Sequence, residues 1–131
     1  MKRATREWIQ KAEDDHTAAS ELAALDQPLH DPVCFHCQQS AEKYLKAILE
    51  DADAAVPKTH DLVRLLDLLL PTHPSLKTLR PGLSALSENA VDLRYPGFHA
   101  TKRNATSALR GAERVRERAR RILGLRWLYF F

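Results

Sequence analysis

"CFHCQQSAEKYLKAIL", residues 34–49, decides the fold class. Cys34, Cys37, Ala41, Tyr44 (with Leu45) and Ile48 recur at steps of three and four, the spacing that lays apolar side chains along one face of an α-helix. The pattern predicts a helix over about 32–53. Asp31 is its expected N-cap, and Pro32 stands at the first helical position, where a missing N–H is no loss.

The same period extends in both directions. A helix is expected over about 3–26, with Trp8, Ile9, Ala12, Ala19, Leu22 and Ala23 on one face and Pro28 beyond its end. A third, about 60–70, carries Leu62, Val63, Leu65, Leu66 and Leu69; Thr59 or His60 is its expected cap, with Asp61 favouring its dipole. A fourth, about 75–93, uses Leu76, Leu79, Leu83, Leu86, Ala90 and Leu93, with a break expected at Pro81–Gly82. The fifth, about 101–123, has Thr101 as N-cap and the stripe Ala105, Ala108, Ala112, Val115, Ala119 and Ile122. No strand-like alternation persists, and the connections are short. The expected fold is therefore all-α, an antiparallel helical bundle. The small residues of the last stripe predict close approach by a neighbouring helix.

A chain of 131 residues is one domain with enough length for a single core. The reading divides it into a bundle over 1–125 and an aromatic tail over 126–131, "RWLYFF". The start "MKRATREWIQ" has no apolar signal stretch, and "LLDLLL" is too short to span a bilayer, so no membrane association and a cytoplasmic location are expected. Net charge is only +3, but Lys102–Arg121 holds eight Lys or Arg against two Glu, a local +6. Such asymmetry suits a polyanion, and equally a solvated outer helix face.

Three groups of residues invite a chemical reading. His30, Cys34, His36 and Cys37 suggest zinc, but both cysteines fall on the apolar face and no second Cys or His pair follows. Small buried thiols are the expectation there, with no metal and no cofactor. His16 falls where the first stripe wants an apolar residue, beside Asp15; it is either a satisfied half-buried histidine or part of a polar site. "RYPGFH", residues 94–99, is the unusual element. Pro96 and Gly97 interrupt two helices and set Arg94 and His99 on either side of the turn. A permanent forked cation and an imidazole that titrates near neutrality are the minimum apparatus for cleaving RNA without a metal. Lys102 and Arg103, opening the next helix, would bind the phosphate backbone. The alternative is a Pro-Gly turn with solvent-exposed neighbours.

"REWIQKAEDDHTAASEL", "CFHCQQSAEKYLKAIL", "KTHDLVRLL" and "DLRYPG" together resemble the HEPN family in order and spacing, over roughly residues 5–123. The resemblance implies an up-and-down four-helix bundle with a short additional helix, often a homodimer. It implies association with nucleotides or RNA, and in many members pairing with a minimal nucleotidyltransferase as toxin and antitoxin. Active members carry an Arg-x4–6-His motif that forms a metal-independent endoribonuclease site across the dimer; Arg94 and His99 fit it. Asp15 matches a family acidic position, which would bring it near that site, while Asp92 and Tyr95 would orient the pair. Two outcomes follow from this reading: an endoribonuclease, or an inactive dimer serving as a nucleotide-binding or protein-interaction module.

Overall fold

The computed structural model describes residues 1–93 and 95–125, giving only the backbone course for 89–92. Arg94 and the tail 126–131 lie outside the described residues. The chain forms α1 (Arg3–Ala23), α2 (His30–Asp51), α3 (Leu62–Leu69), a 3-10 helix (Pro74–Leu79), α4 (Arg80–Asp92) and α5 (Lys102–Ile122). Among the described residues there is no strand, and no helix is long and apolar enough to cross a membrane.

The centre of the bundle is α2. It packs mainly on α1 and α5, and also on α3 and α4. Its apolar face is accordingly covered: Val33, Cys34, Cys37, Ala41, Tyr44, Leu45 and Ile48 are all buried, and apolar side chains so placed contribute about 1.5–3 kcal/mol each when large. The small stripe of α5 is buried as expected, from Ala105 to Ala119, and lets α5 lie close to α2. Gly82 of α4 and Gly111 of α5 face one another, a Cβ on the first reaching to 3.9 Å from the Cα of the second.

Several boundaries differ from expectation, each for a local reason. α1 ends at Ala23, because the Ala24 N–H already donates to the Ser20 and Glu21 carbonyls and the chain turns ahead of Pro28. α2 begins at His30, so Asp31 lies in its first turn and is not the N-cap. The cap of α3 is Asp61, whose carboxylate accepts from the N–H groups of Val63 and Arg64; Thr59 and His60 precede it. No break occurs at Pro81–Gly82. The change of geometry comes at Leu79–Arg80, where 3-10 passes into α-helix, and Pro81 falls in the first turn of α4, where its missing N–H has no partner to lose. Thr101 caps α5 as expected, in a reciprocal box with Asn104.

Candidate nucleic-acid interface

The loop between α4 and α5 is shaped by its own residues. Gly97 takes a left-handed φ of +92°, and the Phe98 N–H donates to the Tyr95 carbonyl at 3.3 Å, closing a turn with Pro96 and Gly97 at its centre. The far end of the loop is tied to α2: the Ala100 N–H donates to Asp31 Oδ1 at 2.6 Å. The other oxygen of that carboxylate lies 3.6 Å from His99 Nδ1. His99 is 80% exposed, so its ring stands in solvent with one nitrogen facing a carboxylate. Asp31, expected as a helix cap, anchors a loop 69 residues away.

Beyond His99, Lys102, Arg103, Thr106, Ser107 and Arg110 line an open groove of about 520 Å³. Lys102 and Arg103 are therefore exposed together at the head of α5, where the unsatisfied N–H groups of a helix also favour an anion. Arg94 precedes this turn but lies outside the described residues, as does the side chain of Asp92. Tyr95 is exposed in the turn itself.

The basic helix is not uniformly a surface. Arg116 turns inward and grips Glu13 of α1 with two bonds, Nε at 2.7 Å and Nη2 at 2.9 Å. Arg120, 4% exposed, brings Nη1 to 3.6 Å from the same carboxylate. The Tyr44 hydroxyl donates to Glu13 as well. Burial pushes the Glu13 carboxyl up, but hydrogen bonds from Arg116 and Tyr44 overcome that and hold it below its ordinary value. The cations left facing outward are Lys102, Arg103, Arg110, Arg114 and Arg121. Sequence reasoning misses Glu13, although one signal was there: it follows Ala12 and stands four after Ile9, inside the apolar stripe.

Asp15 is held by α2. Its carboxylate takes His36 Nδ1 at 2.8 Å and Lys43 Nζ at 2.5 Å, both on α2, and so clamps α1 to α2. His16 is half-buried, with Nε2 3.3 Å from Glu113 and Nδ1 without a hydrogen-bond partner among the described residues. Burial lowers its pKa, and Glu113 offsets this only in part. His60 bonds Glu42 at 2.7 Å, and Glu42 also accepts from Lys46. Cys34 and Cys37 are buried thiols, pushed up by burial to about 11 and about 12. Among the described residues no cluster of three or more His, Cys, Asp or Glu could hold a metal ion.

The family model of the HEPN domain matches residues 5–122, nearly the whole chain. The chain belongs to the HEPN family. Membership associates it with nucleotide- and RNA-related functions. Its fold is similar to the crystal structure of TT1696 from Thermus thermophilus, with a TM-score of 0.81 and 20% identity over 92% of this chain and 99% of the other. At that identity the likeness concerns the HEPN bundle and not its chemistry. No curated protein matches the chain.

Proposed function

We propose that this HEPN chain binds RNA or a nucleotide at the loop before α5 and cleaves RNA there as a metal-independent endoribonuclease. The observation that carries the reading is His99: an exposed imidazole at the head of a cation-bearing helix, with a carboxylate beside one ring nitrogen. Asp31 Oδ2 stands 3.6 Å from Nδ1, so Nε2 is the ring nitrogen turned from the carboxylate that would accept a proton. In the proposed reaction, His99 takes the proton of a ribose 2′-hydroxyl, and that oxygen attacks the adjacent phosphorus. Arg94, the forked cation on the other side of the turn, stabilises the phosphorane. The imidazolium returns its proton to the departing 5′-oxygen, leaving a 2′,3′-cyclic phosphate and a 5′-hydroxyl end. Asp92 and Tyr95 would orient the pair by hydrogen bonds, while Lys102 and Arg103 would hold neighbouring phosphates. A homodimer would complete the cleft, and a minimal nucleotidyltransferase is the partner that would restrain the activity in a toxin–antitoxin pair.

The test is cleavage of a labelled RNA in EDTA by the wild type, Arg94→Ala and His99→Ala. Loss of about 100-fold or more with each variant is expected. A second reading, a catalytically inactive binding module, is favoured by the contact of His99 with Asp31, which suits a loop-fastening role. In that case Arg94→Ala lowers RNA affinity, His99→Ala does not, and no cyclic phosphate ends form.

A further inference from the structure

We propose that Nε2 of His60 is a phosphoryl acceptor, a surface nucleophile activated by the buried carboxylate of Glu42 and loaded from a donor of the phosphoramidate class. This second site shares no residue with the loop before α5. His60 Nδ1 lies 2.7 Å from Glu42 Oε1, while the histidine side chain is 67% exposed. Glu42 is 3% exposed, and its other oxygen accepts from Lys46 Nζ at 3.1 Å. Lys46 is buried in turn, its ammonium 5.5 Å from the centre of the Trp8 ring. A carboxylate paired with an ammonium only accepts, so the proton on the shared bond is the imidazole's and the free lone pair stands on Nε2.

Among the described residues no other histidine combines these features. His36 makes the same contact, Nδ1 to Asp15 at 2.8 Å, but its side chain is only 28% exposed. His99 is well exposed, yet the carboxylate oxygen beside its Nδ1 stands at 3.6 Å, beyond a hydrogen bond. Fastening the loop does not account for the bond to the His60 ring. Gln38 Nε2 already holds the chain there through the His60 carbonyl at 3.0 Å, and Asp61 caps α3 through the N–H groups of Val63 and Arg64. A carboxylate is costly to bury, and this one is turned onto an exposed imidazole.

Such an imidazole is a nucleophile: as Nε2 forms a bond, positive charge develops on the ring, and Glu42 stabilises it. Phosphorus is the electrophile that the surroundings favour. Lys58 and Arg64 stand exposed two residues before and four after His60, cations suited to a dianionic group, while the Asp61 carboxylate is committed to the helix cap. With most of its side chain in solvent, His60 can enter the active site of another protein. In the transfer, the Nε2 lone pair bonds to phosphorus and the P–N bond of the zwitterionic donor breaks. Its nitrogen leaves as a neutral amine with the electron pair, and Nδ1–H stays on Glu42, leaving an N-phosphoimidazolium.

The experiment treats the full chain with phosphoramidate at neutral pH and follows acid-labile phosphoryl groups by peptide mass spectrometry and phosphorus NMR. His60 is expected to be labelled about 10-fold or more faster than His99, the scale of one hydrogen bond to a charged group. His60→Gln should abolish the fast label. Glu42→Gln keeps an acceptor of the same shape but removes the charge, and should slow His60 by a similar factor while labelling of His99 is unchanged. Thermal unfolding reports whether that variant keeps its bundle; if it does not, the ratio of His60 to His99 in the wild type decides alone. Equal labelling of the two histidines in the wild type, a fast label that persists in His60→Gln, or an undiminished rate in folded Glu42→Gln overturns the proposal and leaves the pair a loop clasp.

Discussion

Glu13 carries a negative charge into the seam between α1, α2 and α5, at 6% exposure, and is held there by Arg116, Arg120 and the Tyr44 hydroxyl. Removing one member of a buried charge pair leaves the other uncompensated. Arg116→Met or Glu13→Leu is therefore expected to lower stability by about 3–5 kcal/mol in urea titration, and the double variant to recover part of the loss. The sign of the pH dependence follows from the direction of each shift. The folded pKa of Glu13 is lowered, so its contribution is present above the ordinary carboxylate pKa of 4.5 and is lost as pH falls through the folded value. His16 is also lowered, from 6.5, because burial disfavours its charged form. The unfolded chain then takes up the proton first, and stability falls as pH drops below about 6.5 toward the folded pKa. Glu113 and Arg116 face it from α5 and Glu13 from its own helix, so the comparison is with His16→Gln. Wild type should lose stability between pH 7 and 5, and the variant should show a flatter profile over that window. The two thiols offer a simpler check: with Cys34 and Cys37 buried and their ionisation pushed up, neither should react with a thiol reagent until the bundle is unfolded.

At the scale of elements, two features of α5 can be tested separately. Gly111 lies inside the helix, and a Cβ there would meet Leu86 at 3.5 Å, an ordinary contact. Gly111→Ala should therefore raise stability by about 0.5–1 kcal/mol through helix propensity alone, measured by thermal unfolding, while Gly111→Leu should prise α4 from α5 and lower it. The loop before α5 depends on Asp31. Asp31→Ala removes the acceptor of the Ala100 N–H and the neighbour of His99. Exchange of the Ala100 amide should accelerate and stability fall by about 1–2 kcal/mol, with any RNA cleavage falling further than stability explains.

At the scale of the whole molecule, α5 supplies the densest run of exposed positive charge. Lys102, Arg103, Arg110, Arg114 and Arg121 are exposed on α5, over a helical length of about 28 Å. If all five engage a single strand, the logarithm of the binding constant should fall against the logarithm of salt concentration with a slope of about −3.5. Arg103→Glu with Arg110→Glu should flatten that slope, while Arg116, committed to Glu13, contributes nothing to it.

The helices, their order and the buried faces were legible in the residues because a period of 3.6 is a local property: Cys34 to Ile48, or Ala105 to Ile122, shows its inner face whatever it packs against. The Arg-x4-His spacing around a Pro-Gly turn was legible for the same reason, since it lies within six consecutive residues. Where a side chain spends its charge was not. Asp31 reads as a helix cap and serves a loop 69 residues away; Arg116 reads as a solvated cation and closes on Glu13, 103 residues away. Such partners are chosen by which helix faces meet and at what height. That is decided only when the bundle closes, because a buried charge must find its counter-ion among whatever side chains packing brings within about 3 Å.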